Sequence, residues 1–342
     1  MKPTTATILS TLSLLSSLLS ASALHLRDVE FSQHVLVPSQ GDRNNGIHLA
    51  VSPVCGPLSG PVADVNAGVD LKRIKTIVAF GDSYTDGGRT DGGPLAPPVV
   101  VPPDAGAGGR STNGKVWVEN LADDIGATLM DYAQSGACTD LSLWPSAIRK
   151  VDFIGQMKTF LGQSNTLDPN STLYVVFFGI NDFDDSRRDG EANLQAAAHV
   201  ILAQLRTLAS APTNARNFLL ADVYGLGVHT PAGDAMVQTV FDGLRDFRDT
   251  SAGEGDGARR VNVAFARFSR IWDGVLGAEP GFRAFGYAST DACVRICCVT
   301  TGMCDDPAHY FYYIPNHPSK EGMRIMADYA EQVLELCADA EA

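Results

Sequence analysis

From residue 74 onward the chain alternates short apolar runs rich in β-branched and aromatic residues with longer stretches of helical period. Ile74-Lys75-Thr76-Ile77-Val78-Ala79-Phe80, closed by Gly81, predicts a strand. Further strands are predicted at 129–133, 173–178, 218–223 and 261–265. The run Leu173-Tyr174-Val175-Val176-Phe177-Phe178 is apolar without interruption, as a strand covered on both faces must be. Helices are predicted over 116–125, 191–208, 241–247 and 320–337. The last of these sets Met323, Met326, Ala330, Val333, Leu334 and Cys337 on one stripe. Strand and helix in alternation imply an α/β fold: three layers, α/β/α, around a mainly parallel five-stranded sheet. Ligands of such sheets bind beyond the carboxyl ends of the strands. The loop after the first strand, 84–114, is long and dense in Gly and Pro, which predicts a functional or disordered segment.

The pattern ahead of residue 74 is different. Lys2, an apolar run from Ile8 to Leu19, and Ala21-Ser22-Ala23 have the layout of a secretory signal peptide over 1–23. Residues 24–73 show no clear period and read as an irregular extension or a cleaved propeptide, pinned to the body through Cys55, with the main domain at 74–342. No run is long enough to span a membrane, so integral membrane association is not expected. The net charge of −13 argues against nucleic acid as a partner. Export predicts that most of the seven cysteines are paired, with one left over by the odd count. Four of them, Cys293, Cys297, Cys298 and Cys304, crowd one loop, and their spacing suits disulfides better than zinc. Asn170-Ser171-Thr172 is a glycosylation sequon.

Three short motifs could carry chemistry. Ser83, in Gly81-Asp82-Ser83, stands just past the first strand at the ligand edge of the sheet. Asn181, in Gly179-Ile180-Asn181-Asp182, stands just past the 173–178 strand, where its amide could donate to an oxyanion. His317, in His317-Pro318-Ser319, precedes the last helix, with Ser319 as its predicted N-cap. Each motif alone is an ordinary turn or cap. Together, in the order Ser, Asn, His, they supply a nucleophile, an oxyanion donor and a general base. His25, His34 and His48 fall in the extension and His199 in a helix, while His229 and His309 lie in loops and stay open as alternatives.

With these motifs the chain resembles an SGNH hydrolase of the GDSL lipase/acylhydrolase family. The stretches that carry the resemblance are Ile77 to Asp86, Gly179 to Asp182 and His317 to Ser319, together with Asp131-Tyr132-Ala133-Gln134-Ser135-Gly136-Ala137 and Gly109 to Gly114. The resemblance implies a flavodoxin-like sheet, Ser83 as nucleophile and His317 as base. It also implies an oxyanion hole of the Ser83 and Gly136 N–H groups and the Asn181 amide, and no cofactor or metal. Trp117-Val118-Glu119 and the cysteine-rich stretch are most similar to secreted fungal acetylesterases of carbohydrate esterase family sixteen. The implied substrate is then a small ester or an acetylated oligosaccharide. A lipase for longer acyl chains and a non-catalytic sugar-binding protein on the same fold are the alternatives.

One position departs from the family pattern. An aspartate usually stands three residues before the histidine to orient it, and here that residue is Ile314. The expected substitutes are Asp306 or its neighbour Asp305, more distantly Asp291, or the backbone carbonyl of Ile314 acting within a Ser–His dyad. Without any of them the site would be crippled. That last outcome is what favours the sugar-binding alternative, for which Tyr310-Phe311-Tyr312-Tyr313 would supply a platform.

Overall fold

A computed structural model describes residues 45–250 and 260–339. The leader read at 1–23 and the start of the extension lie outside the described residues. The central sheet contains β1 (Val65–Ala67), β2 (Thr76–Gly81), β3 (Thr128–Asp131), β4 (Thr172–Phe177), β5 (Asn217–Ala221) and β6 (Asn262–Ala266). Its spatial order is β1-β6-β5-β4-β2-β3. The strands β2 to β6 are parallel, as expected, but the sheet has six strands rather than five, because β1 adds to β6 in the antiparallel sense.

Alternation along the strands builds the layers. Ile77 and Ala79 of β2, with Leu173, Val175 and Phe177 of β4, face a core completed by α1 (Trp117–Asp124), α6 (Ser269–Leu276) and α7 (Lys320–Leu336). Val78, Phe80, Tyr174 and Val176 point the other way. They meet α2 (Phe153–Gly162), α4 (Asn193–Ala209) and α5 (Pro231–Thr250). A further helix, α3 (Ile180–Asp189), opens directly from the end of β4. The result is the three-layer α/β/α arrangement.

The expected irregular stretch before residue 74 contributes to this core. Ile47 and Leu49 are buried in it, and Asn66 of β1 donates its side-chain N–H to the carbonyls of Val69 and Leu334. Asp64 accepts from the Val54 and Arg267 N–H groups and from the Tyr329 hydroxyl. A disulfide between Cys55 and Cys337 ties the segment to the end of α7. Cys293–Cys304 and Cys297–Cys298 are the other pairs, and Cys138 is a free, buried thiol.

The long loop 84–114 is held in place by polar groups. The Arg110 guanidinium, 1% exposed, makes a two-pronged ion pair with Glu119 at 2.6 and 2.7 Å and also donates to the carbonyls of Ala107 and Ala96. The loop also meets the cysteine-rich stretch, where Ala105 N–H donates to the Cys298 carbonyl and Thr300 N–H to that of Pro103. That stretch leads into a small second sheet of β7 (Ser289–Ala292), β8 (Tyr310–Ile314) and β9 (His317–Pro318).

Candidate active site

At the end of β2 the chain turns helically, with Thr85 and Asp86 N–H donating to the Asp82 carbonyl at 3.1 and 2.9 Å. Gly81 permits that turn, since a Cβ there would stand 2.8 Å from Thr85 Oγ1. Ser83 sits on the turn, 8% exposed, with its hydroxyl facing a cleft.

His317 comes to the same place on a hairpin. Ile314 of β8 pairs with His317 of β9 across the two residues Pro315-Asn316. Proline followed by a residue at positive φ, here Asn316 at 62°, is the signature of a type II turn. The Tyr84 hydroxyl donates to the Asn316 carbonyl, and the Tyr84 ring lies 5.5 Å from that of His317, so the nucleophile's own turn holds the histidine's turn. Thr112 and Asn113 brace the far side: Thr112 Oγ1 donates to the Pro318 carbonyl and Asn113 Oδ1 accepts from Lys320 N–H. Ser319 is the N-cap of α7, its side chain accepting from Gly322 N–H.

His317 Nε2 lies 2.8 Å from Ser83 Oγ, and His317 Nδ1 lies 2.9 Å from the Pro315 carbonyl oxygen. A carbonyl can only accept, so the proton of the neutral ring sits on Nδ1 and Nε2 is left to accept from the Ser83 hydroxyl. Burial lowers the pKa of His317 below its ordinary value, with the Pro315 contact opposing the shift. The ring is therefore neutral at neutral pH, which is the form a base requires.

The group found beside Nδ1 differs from the sequence expectations. Asp306 is at a distance from this contact: its carboxylate pairs with His309 Nδ1 at 2.7 Å, while His309 Nε2 faces the Asn45 carbonyl. Among the described residues no carboxylate, Asp305 and Asp291 included, lies within ion-pair distance of His317. The carbonyl that faces Nδ1 belongs to Pro315 and not to Ile314, because the tight turn folds the carbonyl of residue i−2 back onto the ring. The Ile314 side chain instead packs with Ala105, Val294 and Tyr313.

Buried carboxylates tie the remaining loops to Ser83. Asp131 accepts from the Gly87 and Ala133 N–H groups, and Asp86 from the N–H and hydroxyl of Ser135. This brings Gly136 to the cleft at φ +85°. A side chain there would be strained, and its Cβ would meet Arg149 Cδ at 2.5 Å. Asp182 accepts from Thr139 N–H, Thr139 Oγ1 and Trp144 Nε1, joining the same loop to α3. Gly179, at φ 131°, starts α3 and sets Asn181 in its first turn. The Asn181 amide donates to the Ala137 carbonyl at 2.9 Å and, more distantly, to Asp82 Oδ2 at 3.5 Å. Ser83 N–H and Gly136 N–H have no acceptor among the described residues. Behind them Asp82 is fully enclosed, and desolvation pushes its carboxyl up to about 8.

The cleft measures about 700 Å³ and is lined by Ser83, Gly136, Asn181 and His317. Its walls include Tyr224 and Leu226 from the loop after β5, Tyr312 of β8, and Cys297 and Cys298. Of the rest of the aromatic run, Phe311 and Tyr313 are interior, at 0% and 1% exposed, and the half-buried Tyr310 does not line the cleft, so the run forms no sugar platform there. Sequence reasoning brought Ser83, Gly136, Asn181 and His317 to one cleft and missed the Tyr84 and Pro315 contacts. The Pro-Asn turn signature beside His317 was the available signal for both.

Among solved structures, the chain is similar to a lipolytic G-D-S-L family protein from Veillonella parvula (16% identity, 77% of this chain and 97% of that one, TM-score 0.38). It is also similar to an active-site mutant of a family two carbohydrate esterase from Clostridium thermocellum (15% identity, 77% and 64%, TM-score 0.43). Among curated proteins, an acetylesterase from Hypocrea jecorina is 34% identical over 128 residues, which is 32% of this chain and 35% of the relative, so the match spans about a third of that protein. The family model for GDSL-like Lipase/Acylhydrolase matches residues 77–330, from the first parallel strand into the last helix, and the chain belongs to that family.

Proposed function

We propose that this protein is a secreted serine esterase that removes short acyl groups, acetyl above all, from carbohydrate esters through an acyl-serine intermediate. The observation that carries the reading is the relay from Ser83 Oγ to His317 Nε2 at 2.8 Å and from Nδ1 to the Pro315 carbonyl at 2.9 Å. His317 takes the Ser83 proton as the oxygen attacks the ester carbonyl, then returns it to the leaving alcohol. The developing oxyanion is held by the N–H groups of Ser83 and Gly136 and by the Asn181 amide. Water activated by the same histidine then releases the acid. The work is done by side chains and backbone dipoles alone.

The carbohydrate and acetyl assignments draw support from the acetylesterase of Hypocrea jecorina and from a cleft of about 700 Å³, room for a ring-sized alcohol. Export is supported by the leader-like residues 1–23 and the three disulfides. With export goes a glycan on exposed Asn170, which intact mass before and after deglycosylation reads directly. The test of the activity is hydrolysis of p-nitrophenyl acetate and a long-chain homologue by the wild type and by Ser83→Ala. Turnover of acetate that falls by about 10⁶ in the variant is expected, with the long chain hydrolysed more slowly. Equal turnover by wild type and variant would refute the esterase. A preference for the long chain would make it a lipase.

A further inference from the structure

Charge in the cleft is distributed against the character of the chain as a whole. The protein carries −13 overall, yet the charged side chains lining the cleft, apart from His317, are Arg149, Arg187 and Asp184. Arg187 is partly satisfied, with Nη1 3.4 Å from Asp184 Oδ1 and its guanidinium 5.2 Å over the Phe183 ring. Arg149 has no hydrogen bond or ion pair among the described residues. Other exposed arginines, Arg206 and Arg295 among them, are also without a carboxylate among the described residues, but they do not line the cleft, whereas Arg110, Arg188 and Arg324 each hold one.

Arg149 is also held in place. Its alkyl stem covers the Cα of Gly136, filling the space that a Cβ there would need, at 2.5 to 3.0 Å. The loop that carries it is fastened to α3, which carries Arg187: Ser146 donates its N–H and hydroxyl to Asp189, and Arg188 donates to Ser146 Oγ. Two exposed arginines thus stand on one braced unit and line the same cleft as Gly136 and Asn181.

We propose that Arg149, seconded by Arg187, makes this esterase select substrates whose alcohol half carries a carboxylate, the chemistry of an acetylated uronic acid. The inference rests on the esterase reading above. An acetyl group has no position for a charge, so an anion facing these arginines must belong to the alcohol. A planar guanidinium matches a carboxylate with two parallel hydrogen bonds, which a neutral sugar cannot return. The excess of positive charge in the cleft also draws an anion in against the repulsion of the acidic surface.

The test compares kcat/KM for 4-acetoxybenzoate and its uncharged analogue 4-acetoxybenzamide. The wild type is expected to favour the anion by about tenfold, the scale of a charge-assisted hydrogen bond in a half-open site. Arg149→Met keeps a stem over Gly136 and is expected to bring the ratio close to one, while Arg149→Lys retains part of it. In 1 M salt, where the screening length is about 3 Å, the wild-type ratio should shrink. A structural role for Arg149 would lower both rates together and leave the ratio intact, which would overturn the proposal. So would a wild-type ratio of one or less with both esters turned over. Absence of turnover on either ester is the different result that removes the esterase reading itself.

Discussion

The assignment of the histidine's partner can be decided by removing Asp306, the nearest carboxylate on its N-terminal side in sequence. If Asp306 were the acid of a triad, Asp306→Ala would lower kcat by about 10⁴, or about 5.5 kcal/mol at 1.36 kcal/mol per decade. In the structure Asp306 instead pairs with His309, the two side chains being 62% and 31% exposed. An exposed pair of this kind is worth about 0–1 kcal/mol, which would move the melting temperature by no more than about 2–4 °C. The proposed mechanism therefore predicts kcat and KM for p-nitrophenyl acetate within about threefold of wild type, with a small loss in melting temperature. The double variant Asp305→Ala/Asp306→Ala should behave likewise, closing the neighbouring alternative. Loss of a thousandfold or more in kcat from a variant that still melts cooperatively near the wild-type temperature would refute the Pro315 carbonyl as the orienting group.

Asn181→Ala should lower kcat by about 10²- to 10³-fold, and a loss under about threefold would dismiss Asn181 as an oxyanion donor. Because burial holds the His317 pKa below its ordinary 6.5, kcat/KM should stay level as pH falls to that value and drop only below it; an acid limb centred above 6.5 contradicts the assignment. Stability should run the other way. Desolvation raises Asp64, Asp131 and Asp182, and takes Asp222 to about 6 and Asp82 to about 8. Against about 3.9 in the unfolded chain, the folded state holds more protons across this interval. The stability these groups leave intact below pH 4 is thus lost progressively as pH rises toward 8. His317, shifted down, has the opposite sign but is a single group. The melting temperature should be lower at pH 8 than at pH 5, and a flat or rising profile would show these carboxyls titrating normally.

Of the five parallel strands, β2, β4, β5 and β6 were legible as largely apolar, buried runs, whereas β3, at the sheet edge, offers only Leu129 and Met130, both half-buried, and was legible from its place in the strand–helix alternation. The sixth was not: β1 is Val65-Asn66-Ala67, too short to show alternation, and Asp64 and Asn66 hold it through contacts remote in sequence. Helix α5 shows how one face of a helix sets what is visible. Its clear apolar stripe, Phe241, Leu244 and Phe247, gave only the second half, while in the first half Met236 and Val237 stand among small and polar residues. The helix α3, Ile180–Asp189, hides for the same reason, since apart from Phe183 its buried residues are Asp182, Asp185 and Ser186. The α2 stripe of Phe153, Met157 and Phe160 was present and went unread. In the site, Ser83, Asn181 and His317 stood out because their motifs close strands or open a helix. The braces did not, because Asp86, Asp131 and Asp182 act by accepting backbone N–H groups of other loops. Nothing local to a carboxylate shows that it will do so.

The Ile314 position gains a physical account from the hairpin. A carboxylate hydrogen-bonded to Nδ1 favours the imidazolium and raises the pKa of the base, whereas a carbonyl dipole does so weakly. With Pro315 as partner, burial dominates and the His317 pKa moves down. In the proposed mechanism the base is then less strong, but it stays unprotonated at pH values where a carboxylate-paired histidine would already be charged. The tautomer is also fixed by the main chain, through a turn that Tyr84 holds from the nucleophile's side, so no side-chain substitution removes the acceptor itself. An aspartate at 314 is therefore not needed to orient the ring. The position is free for an apolar side chain that packs the hairpin against Ala105 of the long loop. What this chain lacks in electrostatic support for the base is matched by mechanical support for the strand that carries it.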